Sequence, residues 1–88
     1  MYVIGVYDIG ERRVGKMLKL FRRYLFHLQR SVFEGELTEK QFVELRTEAG
    51  QLIDDANDSI LFFMLDSDKY VRREGLGISV RDFSDPFL

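Results

Sequence analysis

The spacing of hydrophobic and polar residues changes character repeatedly along this chain, and each change marks an expected element. Residues 2–8 are β-branched and aromatic, too short for a helix, and run into Ile9-Gly10. That pattern predicts a strand, apolar on both faces and therefore central in its sheet. Over 11–25 the period lengthens to that of a helix. Val14, Met17, Leu18, Phe21, Tyr24 and Leu25 form one stripe, while Arg12, Arg13, Lys16, Lys19, Arg22 and Arg23 stay mostly off it. Leu20 alone breaks the pattern. Residues 27–37, with Leu28, Val32, Phe33 and Leu37, read as extended, and Glu34-Gly35 is a bend that splits them into two short strands. A second helix opens at Thr38: Gln41 completes a capping box, and Leu37 can staple onto Phe42. Its apolar face is Phe42, Leu45, Ala49, Leu52 and Ile53, and the polar run Asp54-Asp55-Ala56-Asn57-Asp58 ends it. Residues 59–65 form another strand, 66–77 a charged loop with glycines, 78–82 a short last strand and 83–88 a tail.

Strand, helix, strand pair, helix, strand is the order of a split βαβ unit, so the expected class is α+β, a ferredoxin-like βαββαβ domain over residues 1–82 with one extra C-terminal strand. Two helices cover only one face of such a sheet. The first and last long strands are nevertheless apolar on both faces, where a half-exposed sheet would alternate. A second copy packed sheet to sheet is the simplest cover, and the strand at 78–82 would then extend the partner's sheet edge. A face-to-face homodimer is expected.

Composition narrows the class. Eighty-eight residues allow one domain that buries a modest core and gains from a partner. There is no cysteine, which removes disulfides and thiolate metal sites and fits an intracellular setting. No secretory leader precedes Tyr2-Val3-Ile4, and no apolar run is long enough to span a bilayer, so a soluble, cytoplasmic protein is expected. The net charge of −2 hides an uneven distribution: residues 9–30 hold seven basic groups against Glu11 alone, and residues 31–68 hold ten acidic groups against Lys40 and Arg46. A basic element within an acidic whole suits either a surface for polyanions or a merely solvated helix face.

Asp8, at the end of the first strand, admits two readings. With Glu11 three residues on, it fits a helix cap. It also fits a metal ligand: two such carboxylates related by a dimer axis, with phosphate and water oxygens, make a magnesium site. Arg12 and Arg13 stand nearby to hold phosphates. His27, the single histidine, directly precedes a strand and reads as structural rather than as a base. Ser31 lacks a recognisable histidine and acid, and Gly10 and Gly15 match no phosphate-loop spacing. Tyr7 and Phe33 are candidates to stack on bases, although aromatic residues in short strands are usually core.

Val6-Tyr7-Asp8-Ile9 closing the first strand, a basic helix, and then the run from Leu28 through Gln29, Ser31, Val32, Phe33 and Glu34 to Thr38 together resemble the CRISPR-associated protein two family. The resemblance extends from Met1 to the strand near residue 82. It implies a ferredoxin-like homodimer of prokaryotic adaptive immunity, described in the family as a magnesium-dependent endonuclease on single-stranded RNA or double-stranded DNA. It also implies a partnership with CRISPR-associated protein one, the integrase that inserts new spacers. Carried over by position, Asp8 matches the catalytic, metal-binding aspartate, with one Mg2+ per dimer shared between the two copies of Asp8. Tyr7 is the tyrosine before it, Arg13 with its neighbour Arg12 the basic position that assists phosphate binding, and Phe33 the phenylalanine of the Ser-Val-Phe run. Some members carry arginine where His27 stands, and the tail 83–88 resembles a segment that docks the integrase.

Two function classes follow. One is a metal-dependent phosphodiesterase with paired Asp8 carboxylates. The other is a non-catalytic adaptor, a dimer that clamps duplex DNA between integrase subunits. Fold alone favours neither.

Overall fold

The computed structural model of the chain describes residues 1–77. Strand β1 (Tyr2–Asp8) is the spine of a four-stranded sheet of order β2-β3-β1-β4, with every neighbouring pair antiparallel. It pairs with β3 (Val32–Glu36) on one side and β4 (Ser59–Leu65) on the other, while β2 (Phe26–Gln29) forms the edge beyond β3. Helices α1 (Glu11–Arg22) and α2 (Glu39–Leu52) complete the βαββαβ order of a ferredoxin-like α+β fold. The predicted strand at 78–82 and the tail 83–88 lie outside the described residues.

Register decides what each strand buries. Val3, Gly5 and Tyr7 face the helices opposite Met64, Phe62 and Ile60 of β4, and the alternate residues face away. The core therefore gathers Val3, Tyr7, Phe21, Phe33, Leu37, Leu45 and Ala49 between sheet and helices. The Tyr7 and Phe21 rings meet edge to face at 5.0 Å, and Phe21 packs on Phe33 at the same centroid distance. Thr38 and Gln41 form the expected capping box, each side chain accepting from the other's backbone N–H at 3.1 and 2.9 Å. Leu37 and Phe42, the staple pair, are both buried in the core.

Three local expectations are corrected. α1 ends at Arg22 rather than residue 25, because Tyr24 and Leu25 form a closing turn, both donating to the Phe21 carbonyl, before the chain extends into β2. Leu20, off the expected stripe, is buried, because it lines the groove between the two helices. The hairpin turns at Arg30-Ser31, where Arg30 takes a left-handed φ of 41°, and not at Glu34-Gly35. Gly35 stays extended opposite Val3, and a Cβ there would stand 3.3 Å from Leu25 Cδ2, so its smallness serves close packing rather than a bend.

The other sheet face carries Ile4, Val6, Val32, Leu61, Phe63 and Phe26, and no helix among the described residues covers it. Phe26, Leu61 and Phe63 are each at least half exposed. At one end of this face Arg73 reaches back over the sheet, its Nε donating to Glu34 Oε1 at 2.7 Å and its Nη2 to the Tyr2 hydroxyl at 3.0 Å. Burial, with the adjacent Glu34 carboxylate, pushes the Tyr2 hydroxyl up to about 12. Among the described residues, no helix is long and apolar enough to cross a membrane.

Candidate functional site

β1 carries Asp8 to the end of the sheet, in phase with Ile4 and Val6 and opposite Ser59 of β4. The residue is exposed, and its carboxylate has no hydrogen-bond partner among the described residues. The helix-cap reading of Asp8 is corrected here. The N-cap of α1 is Gly10, which offers no side chain, and the Gly10 amide instead donates to Asp58 Oδ1 at 2.8 Å. A distant carboxylate does the capping and leaves Asp8 unengaged.

Beside Asp8 a cleft of about 330 Å³ opens between the end of β1, helix α1 and the β2–β3 hairpin. Asp8, Ile9, Val14, Leu18, His27 and Ser31 are among its lining residues. His27 stacks flat on Phe33, with centroids 4.4 Å apart and planes 15° from parallel. Its Nδ1 faces Arg22 Nη2 at 3.3 Å, and its Nε2 contacts the Arg30 carbonyl. Arginine only donates and a carbonyl only accepts, which assigns the neutral Nε2–H tautomer and occupies both ring nitrogens.

Two expected base-stacking rings, Tyr7 and Phe33, are buried in the single chain. Tyr7 is 5% exposed and Phe33 fully buried, because both lie on the helix-covered face of the sheet. Burial also raises the Tyr7 hydroxyl above its ordinary value. Arg13, the expected phosphate holder beside Arg12, is engaged within the chain. Its guanidinium grips Asp58 through two nitrogens, with Nη2 donating to Oδ1 at 2.9 Å and Nε to Oδ2. Arg12, in contrast, is exposed and has no partner among the described residues. Farther along α1, Lys16 and Lys19 rim a groove of about 500 Å³ between the helices, where Arg23 bonds Glu48 at 2.8 Å.

Asp58 is the site residue that sequence patterns did not single out. Its side chain is wholly buried at the junction of the α2–β4 turn with the start of α1. The only hint was its place in an acidic run ending a helix, which reads as a solvated break.

Among the described residues no three His, Cys, Asp or Glu side chains converge. One chain thus offers a single strand-end carboxylate, a hard oxygen donor of the kind magnesium takes while keeping most of its waters. The donor type fits the expected ion.

Comparison with known proteins agrees with this fold. Residues 1–73 match the family model described as CRISPR associated protein Cas2. The CRISPR-associated endoribonuclease Cas2 of Thermotoga maritima is 47% identical over 78 residues, covering 89% of this chain and 90% of that protein. The Methanosarcina acetivorans protein of the same name is 40% identical over 85 residues, covering 97% and 98%. A crystal structure of Cas2 superposes with a TM-score of 0.82 at 39% identity, covering 88% of this chain and 86% of the other. With a family model matching residues 1–73 and relatives this near, the chain belongs to the CRISPR-associated protein Cas2 family.

Proposed function

We propose that two copies of this chain join through their uncovered sheet faces and cleave phosphodiester bonds, single-stranded RNA foremost, at a site built from the paired Asp8 carboxylates. The observation that carries this reading is Asp8 itself: an exposed, unengaged carboxylate at the rim of a sheet face whose Leu61, Phe63 and Phe26 stand in water in the single chain. An apolar patch of that kind on a small domain marks an association surface. The near relatives are named endoribonucleases, which supports RNA as the substrate.

In this reading, Asp8 from each copy would hold a hydrated magnesium ion. Such an ion supplies Lewis-acid polarisation of the phosphodiester when bound. The chain's own groups do the rest. Arg12, without a partner among the described residues at the start of α1, meets the substrate backbone. Ile9, Val14 and Leu18 line the cleft beside Asp8. His27 lines the cleft and is backed by the buried Phe33 ring.

The test compares wild type with Asp8→Ala on single-stranded RNA and on duplex DNA across a magnesium titration, with mass in solution measured alongside. Magnesium-dependent cleavage lost in Asp8→Ala, by a dimer that Phe63→Glu splits, is the expected result. Equal cleavage by both proteins, or a wild type that is monomeric at micromolar concentration, overturns it.

A second reading has its own support. Lys16 and Lys19 rim the groove on the helix layer, on the opposite side of the sheet from the face that Asp8 shares with Ile4 and Val6. A duplex lying along α1 would meet these cations without reaching Asp8, as a non-catalytic adaptor between subunits of the integrase, CRISPR-associated protein one, requires. That adaptor predicts spacer acquisition intact in Asp8→Ala.

A further inference from the structure

The buried carboxylate of Asp58 ties three chain segments together. It accepts from the Gly10 amide at 2.8 Å, from the Asp54 amide at 3.0 Å and from two nitrogens of Arg13, one at 2.9 Å. A carboxylate has about four lone-pair sites, so this one has none left for a metal or a substrate. Both segments that frame Asp8 lead to it. Gly10 lies two residues after Asp8 on the same strand end, and Ser59, opposite Asp8 in the ladder, directly follows Asp58.

The residue at position 10 belongs to the same device. Gly10 has an ordinary φ of −60°, which any residue adopts, yet a Cβ there would collide with Arg13 Nη2. The absent side chain makes room for the guanidinium against the carboxylate.

We infer that Asp58 is a positioning residue for Asp8, acting through the Gly10 amide and the Arg13 guanidinium, and that Arg13 serves this clamp rather than the substrate phosphate. This rests on the reading of Asp8 as the working carboxylate. The clamp fixes where β1 ends and α1 begins, and so fixes the direction in which Asp8 leaves the sheet. Replacing Asp58 by asparagine turns one acceptor oxygen into a donor that must face another N–H, which undoes one arm of the clamp while preserving shape.

The experiment uses the full chain as wild type, Asp8→Asn, Asp58→Asn, Arg13→Gln and Arg12→Gln. It measures kcat and KM on single-stranded RNA, and Mn2+ affinity by electron paramagnetic resonance without RNA, all well below each protein's melting temperature. Asp58→Asn and Arg13→Gln are each expected to lower kcat by up to about 100-fold, as a misplacement of about 1 Å does, and to lower Mn2+ affinity, with KM nearly unchanged. Their double variant is expected to be no worse than either alone. Arg12→Gln is expected to raise KM instead. A dead Asp8→Asn beside a wild-type-like Asp58→Asn, or a raised KM in Arg13→Gln at normal Mn2+ affinity, overturns the positioning role alone. Full activity in Asp8→Asn overturns both this role and the reading beneath it. Should Asp58→Asn fail to fold, Arg13→Gln, which leaves the carboxylate both backbone donors, carries the same test.

Discussion

The imidazole of His27, which lines the cleft that holds Asp8, lies flat on the buried Phe33 ring, centroids 4.4 Å apart. Phe33 also meets Tyr7 at 5.3 Å and Phe21 at 5.0 Å, so its ring is enclosed by aromatic neighbours. Its role follows from that enclosure.

Phe33→Ala should therefore cost stability of about 3–5 kcal/mol, the range for a buried phenylalanine, while the folded fraction keeps its RNA affinity. Urea unfolding at fixed chain concentration, paired with RNA binding by fluorescence anisotropy, checks this. Weakened RNA binding at unchanged stability would make the ring a stacking platform after all.

Arg12 is the cation of the first turn of α1 left exposed without a partner among the described residues, so it should be the one that releases counterions. Arg12→Ala is expected to reduce the slope of log affinity against log salt by about 0.7 for single-stranded RNA, the value for one phosphate contact. Arg13→Ala should leave the slope unchanged, because its charge is already matched by Asp58. Equal slopes for wild type and Arg12→Ala would make α1 a solvated face only.

The Arg13 hydrogen bonds, helped by the amides of Asp54 and Gly10, hold the Asp58 carboxyl well below the usual carboxylate range. In the unfolded chain it returns to about 3.9. A depressed folded-state pKa stabilises the fold fully above that ordinary value, and the contribution is lost as pH falls below it toward the folded value. Wild type should thus lose stability more steeply than Asp58→Asn as pH drops from about 5 to about 2. Parallel curves in denaturant titrations at each pH would count against the clamp's electrostatic strength.

Glu34 is 4% exposed and is compensated by Arg73 and the Tyr2 hydroxyl. Arg73→Met strands a buried carboxylate and should destabilise the chain by about 3 kcal/mol, as breaking one partner of a buried pair does. Adding Glu34→Gln should recover most of that loss. Calorimetric melting of the two singles and the double variant measures the recovery, and strictly additive losses would mean the pair is uncoupled.

Much of the fold was legible in the residues themselves. The limits of β1 and β4 coincide with the apolar runs 2–8 and 59–65, and the Thr38–Gln41 box forms as written. These signals are local: strand alternation, helical period and capping act between residues within a turn or two of each other. Asp8 was legible for the same reason, as a carboxylate at the end of a strand.

What stayed hidden was decided by contacts between distant positions. Glycine at 35 reads as a bend, yet the left-handed residue of the hairpin is Arg30. Arg13 reads as one more surface cation until Asp58, 45 residues later, folds back on it, and Gly10 finds its cap across 48 residues. Patterns along a chain carry the period of each element and the chemistry of its ends. Which buried charge meets which is settled only when the elements pack, because a carboxylate taken out of water is stable only where the fold brings it donors.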